Sequence, residues 1–129
     1  NNPFTLAYGC VLVAALLPML CALLAKAGAM PRRGNHDPRA WLAAQTGWRA
    51  RANAAQANSF EALPFFIGAV IIAHQLGVPQ ARLDLLACAF IVLRLAYIAL
   101  YVGDKAMARS LVWGLGLAVN IAILLLGWR

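Results

Sequence analysis

The sequence predicts an all-α integral membrane protein: a four-helix bundle with up-down-up-down connectivity, forming one transmembrane domain over residues 1–129. Three observations predict it. Of the 129 residues 64% are hydrophobic and only 12% are charged, with a mean hydropathy of +0.75, whereas soluble domains carry about 25% charged residues. Long apolar runs alternate with turn signals and polar stretches, and the period-two alternation of a transmembrane β-barrel is absent. The two later connections are short, which sets neighbouring spans antiparallel.

The first span covers residues 4–25, Phe4 to Ala25, and contains no charge. That length crosses the roughly 30 Å hydrocarbon core of a bilayer. Its first cation, Lys26, follows it rather than preceding it, unlike the pattern of a signal peptide. The second span covers residues 60–76 and stops at Gly77-Val78-Pro79. The third covers residues 85–102 and stops at Gly103-Asp104. The fourth covers residues 110–128, with Trp113 and Trp128 near its two ends as an aromatic belt requires.

The long connection, residues 26–59, holds Lys26, Arg32, Arg33, Arg39, Arg49 and Arg51 of the eleven basic residues. In a soluble chain a net charge of +7 would suggest nucleic acid. Here its placement marks this connection as cytoplasmic and in reach of lipid phosphates, with both termini on the opposite side. No nucleic acid is expected as a partner. The stretch AMPRRGNH reads as a turn, and Asp37-Pro38 offers an N-cap followed by proline at the first helical position. The alanine-rich run that follows predicts a helical extension from about residue 38 into the second span, with Trp41 and Trp48 on one face in the headgroups.

Cys10 and Cys21 lie about 16 Å apart along one helix, beyond the reach of a disulfide. No Cys or His spacing suggests a metal site, and His36 and His74 read as interfacial polar residues. The polar residues inside the apolar spans are more informative. At about 100° per residue, Asn58 sits about 60° from Glu61 and about 20° from Arg51, so these three form one stripe. Glu61 at a helix start would complement the helix dipole, but a helix that begins near residue 38 leaves it no free amides to cap.

Arg94 stands in the middle of the third span, where an arginine costs about 2.5–3.5 kcal/mol on insertion scales. It should therefore face the bundle interior, and Glu61 is the first candidate partner. Tyr97 and Tyr101 follow at i+3 and i+7 on the same face. Two readings stand: a structural Arg–Glu pair flanked by tyrosines, or a binding site for an anionic polar ligand. Asn120 reads as an interhelical hydrogen-bonding residue.

These residues resemble the MAPEG proteins, the membrane-associated proteins in eicosanoid and glutathione metabolism. The family's second-span pattern, Arg-Ala-Gln-x-Asn-x-x-Glu-x-x-Pro, is similar to Ala54-Ala55-Gln56-Ala57-Asn58-Ser59-Phe60-Glu61-Ala62-Leu63-Pro64. Its third-span pattern, Arg-x-x-Tyr-x-x-x-Tyr, resembles Arg94-Leu95-Ala96-Tyr97-Ile98-Ala99-Leu100-Tyr101. The resemblance implies a homotrimer, in a bacterial inner membrane, that binds glutathione between subunits as co-substrate. It implies roles in glutathione binding for Asn58, Glu61, Arg94, Tyr97 and Tyr101. It further implies that Arg109 activates the thiol. The departure is Ala54, where the family has arginine; Arg51, one turn earlier and about 60° away, is the replacement on offer. The implied activity is a transferase or peroxidase acting on a lipophilic small molecule. A non-catalytic membrane subunit that binds lipid or joins a larger membrane complex is the rival reading. A small transporter would call for broken helices or an inverted repeat, and neither is visible.

Overall fold

The computed structural model describes residues 3–28 and 36–128. The turn expected at AMPRRGNH, with Arg32 and Arg33, lies outside the described residues apart from His36. Among the described residues five helices follow in order: α1 Leu6–Lys26, α2 Pro38–Ala43, α3 Gly47–Gln75, α4 Gln80–Val102 and α5 Ala106–Leu125. All but α2 are long and apolar enough to cross a membrane, and no strand occurs among the described residues. The result is a four-helix bundle with one short cap helix.

The helix ends follow local chemistry. Thr5 caps α1, its hydroxyl oxygen accepting from the Tyr8 amide at 3.2 Å. A second acceptor reaches the same end from α4, where Asp84 Oδ1 takes the Ala7 amide at 2.9 Å. A carboxylate at a helix N-terminus is favoured by the dipole, and this one also fixes the register of α1 against α4. Asp37 caps α2 by accepting from the Ala40 amide at 3.3 Å, and Leu42 buries itself against Ala25 and Ala52.

The helical extension expected from about residue 38 does not run unbroken. It is interrupted at Ala44, Gln45 and Thr46. Gly47 opens α3 at φ 65, a left-handed backbone that glycine adopts without steric cost. One such residue overrides the helix propensity of the alanines around it. From there α3 runs 29 residues, about 43 Å, so its N-terminal part extends past a hydrocarbon core of about 30 Å.

Two arginines of that extension tie the bundle together. Arg49 Nη1 donates to the Ala25 carbonyl at 3.1 Å, at the C-terminal end of α1. Arg51 Nε donates to the Val102 carbonyl at 2.9 Å, at the C-terminal end of α4. Each satisfies a carbonyl that its helix leaves open and sets a cation against the negative end of a dipole. Arg51 therefore does not share a stripe with Asn58 and Glu61, because its long side chain reaches sideways to the neighbouring helix.

Within the bundle α1 packs along α3, and α5 along α4, while α3 also meets α4 and α5. At one end Phe66 stacks on Phe90 with ring centroids 4.3 Å apart and an interplanar angle of 17°. Buried alanines Ala7, Ala14, Ala69, Ala73 and Ala87 surround that pair, letting backbones approach closely where lipid offers no hydrophobic drive. Toward the other end Leu17, Cys21, Ala55, Tyr97 and Ile98 form a second cluster. His74 packs against Tyr8 at 4.9 Å between ring centroids. The core holds α5 most loosely: 17% of its span is buried, against 33%, 28% and 28% for α1, α3 and α4.

Candidate functional site

Arg94 is buried, with 4% of its surface exposed. Its guanidinium donates from Nη2 to Asn58 Oδ1 at 2.8 Å and lies 3.5 Å from Ser59 Oγ. The Ser59 hydroxyl itself donates to the Ala55 carbonyl at 2.8 Å, a common arrangement for serine inside a helix. Its oxygen lone pairs are thus free to face Arg94. Cys21 Sγ lies 4.0 Å from the same hydroxyl, so α1, α3 and α4 meet at one polar junction.

The partner expected for Arg94 was Glu61, and the structure corrects this. The guanidinium meets α3 between Asn58 and Ser59, a direction about 110° around the helix from Glu61. Glu61 is exposed in the single chain. Arg94, buried at membrane depth, is thus held by a side-chain amide, a hydroxyl and a ring face rather than by that carboxylate.

The ring face belongs to Tyr97, whose centroid lies 4.2 Å from the Arg94 guanidinium carbon. Tyr97 and Tyr101 meet edge to face at 5.7 Å. The Arg109 guanidinium carbon then lies 4.3 Å from the Tyr101 centroid. Two cation–π contacts, each favourable in a desolvated place, therefore bracket a tyrosine pair. Arg94, Tyr97 and Tyr101 stand on one face of α4, and Arg109 reaches them from the first turns of α5. The sequence-predicted residues Asn58, Arg94, Tyr97, Tyr101 and Arg109 come together; Glu61 lies at the edge, and Arg51 is drawn away to Val102.

Two cavities open along this row. The first, of about 340 Å³, is lined by Asn58, Tyr97, Tyr101, Arg109, Ser110 and Trp113. The second, of about 230 Å³, is walled by Phe65, Phe90, Gly116 and Leu117, with Asn58, Glu61, Arg94 and Asn120 among its polar lining. Asn58 and Trp113 border both. Trp113, the residue expected in an aromatic belt, also stands at the junction of the two cavities. Its spacing of four from Arg109 places both on one helix face, a signal available in the sequence. Ser59 carried a weaker signal, as one more hydroxyl beside Asn58.

A sequence model of the MAPEG family matches residues 6–128. The chain belongs to the MAPEG family. With four helices fit to cross a bilayer, this MAPEG chain is a multi-pass integral membrane protein. No curated protein matches it, and no solved structure does.

One feature of this MAPEG chain has no counterpart in the expected pattern. Asn120 Oδ1 is buried and lacks a hydrogen-bond partner among the described residues, so the interhelical bond expected of it is not made within them. An orphaned buried acceptor costs about 1–3 kcal/mol. Asn120→Leu is therefore expected to raise stability by about 1 kcal/mol or more, read as an upward shift of the unfolding midpoint in detergent micelles. A lowered midpoint would show that the amide is satisfied in the assembled protein.

Proposed function

We propose that this protein is a membrane-bound, glutathione-dependent transferase or peroxidase that acts on lipophilic electrophiles. The observation that carries this reading is the buried Arg94, held by neutral groups and followed by a row that ends in a second cation. A guanidinium in a low-dielectric site gains most from an anion, and glutathione brings two carboxylates. Asn58 and Arg94 are suited to the carboxylate end of the tripeptide. Glu61, exposed beside the second cavity, is suited to its ammonium group. The reading includes three copies per assembly, with the ligand at the subunit boundary, the connection 26–59 cytoplasmic and a bacterial inner membrane as the location.

The chemistry asked of the protein is modest. A thiol with pKa about 8.5 must be held as thiolate near neutral pH. Arg109, on the wall of the first cavity, is the group proposed to stabilise that thiolate by its charge. The thiolate then attacks an electrophile that arrives from the bilayer, or the distal oxygen of a hydroperoxide. Tyr97 and Tyr101 align the two guanidinium groups and offer phenol hydroxyls to the ligand.

A second reading has its own support. Ala54 leaves no guanidinium where the family pattern has one, and Arg51 is engaged by the Val102 carbonyl. A non-catalytic MAPEG subunit that binds lipid or a partner complex fits those two facts. Retention on immobilised glutathione separates the readings. The enzyme reading expects the detergent-solubilised protein to be retained and to elute with free glutathione. Passage through the column without delay would overturn it.

A further inference from the structure

Away from this site, Cys10 on α1 and Cys88 on α4 bring their sulfur atoms to 3.7 Å. We infer that these two thiols form a modification site: an intramembrane dithiol that hydroperoxides oxidise to a disulfide stapling α1 to α4. Both are free cysteines, Cys10 buried and Cys88 partly exposed.

Three features of the packing make the pair fit for closure. First, the two helices are pinned in register nearby, since the Ala7 amide bonds Asp84 Oδ1 at 2.9 Å with a chain offset of 77. The thiols share that register, with an offset of 78. Second, the adjoining contact positions Ala7 and Ala87 are fully buried alanines, which keep the helix backbones close. Third, the sulfur atoms need to approach by only about 1.7 Å to reach the bond length of about 2.05 Å. Side-chain rotation with a small backbone adjustment covers such a distance.

The asymmetric burial assigns the order of events. Cys88, the more exposed residue of the two, attacks the distal oxygen of the hydroperoxide as its thiol gives up its proton. The O–O bond breaks, the alkoxide leaves and takes up the Cys88 proton as an alcohol, and Cys88 becomes a sulfenic acid. Cys10 then attacks the Cys88 sulfur. The S–S bond forms, and hydroxide departs with the Cys10 proton as water. Two thiols and one hydroperoxide thus yield one disulfide, one alcohol and one water. A dithiol reductant reverses the staple.

Cys21 provides an internal control, because its sulfur neighbours the Ser59 hydroxyl at 4.0 Å rather than a thiol. The test uses the full chain in native membranes, treated with tert-butyl hydroperoxide, then denatured and labelled with N-ethylmaleimide. Untreated protein carries three adducts, one per cysteine. After peroxide, a single adduct on Cys21 is expected, with a peptide from α1 linked to one from α4 and three adducts restored by dithiothreitol. Cys21→Ser should still form the link, while Cys10→Ser and Cys88→Ser should each abolish it. Three adducts after peroxide, or a disulfide joining two chains or including Cys21, would overturn the inference.

Discussion

Arg94→Ala is expected to lower affinity for glutathione by roughly thirty- to several-thousand-fold. Removing one partner from a buried, hydrogen-bonded charge pair costs about 2–5 kcal/mol of binding, and each 1.4 kcal/mol is a factor of about ten. Calorimetry or retention on immobilised glutathione reads the loss directly. The same substitution removes an insertion cost of about 2.5–3.5 kcal/mol, while it leaves Asn58 Oδ1 and Ser59 without their cationic donor. Stability is therefore expected to change little while binding weakens by that factor. Arg94→Lys keeps the charge but not the planar fork, and should bind with intermediate strength. Retained binding in Arg94→Ala would remove the site from this row of residues, and an Arg94→Ala bundle that collapses while Arg94→Lys folds and binds at full strength would mark the residue as structural.

The second large effect concerns Arg109. If its guanidinium stabilises the thiolate, Arg109→Ala raises the bound thiol's pKa by about 1–3 units, toward the free value of about 8.5. The sign follows from charge: a cation favours the deprotonated form, so removing it means that higher pH is needed for the same thiolate fraction. Near pH 7 the rate with a chloronitrobenzene electrophile should fall by roughly ten- to a thousandfold and should recover as pH rises. The ultraviolet absorbance of bound thiolate should follow the same shifted curve. Tyr101, which lies under Arg109, is a positioning residue in this scheme. A rate loss equal at every pH would show that Arg109 orients the ligand without tuning its thiol.

The spans were legible because charge is so costly in a bilayer that its absence over some twenty residues is itself a pattern. The inward orientation of Arg94 was legible for the same reason. Its partner was not: helical spacing tells which residues share a face, but not which point on that face a neighbour meets. Glu61 carried the complementary charge, yet the contact falls at Asn58 and Ser59. Arg51 failed differently, since its angle matched the stripe while its reach took it to Val102. The Cys10–Cys88 contact needed the register between α1 and α4, and nothing within either span encodes that alone. The break before Gly47 was signalled only by the glycine, against a run of strong helix formers.

The sparse burial of α5 has a consequence for how such a protein must be handled. This helix carries Arg109 and Trp113 and forms a wall of both cavities, yet the chain's own interior grips it least. Whatever surrounds that helix, acyl tails or an adjoining copy, completes the enclosure. The lipid or surfactant chosen for an assay is accordingly a structural ingredient of these cavities, and its chain length belongs beside pH and salt among the variables to be controlled.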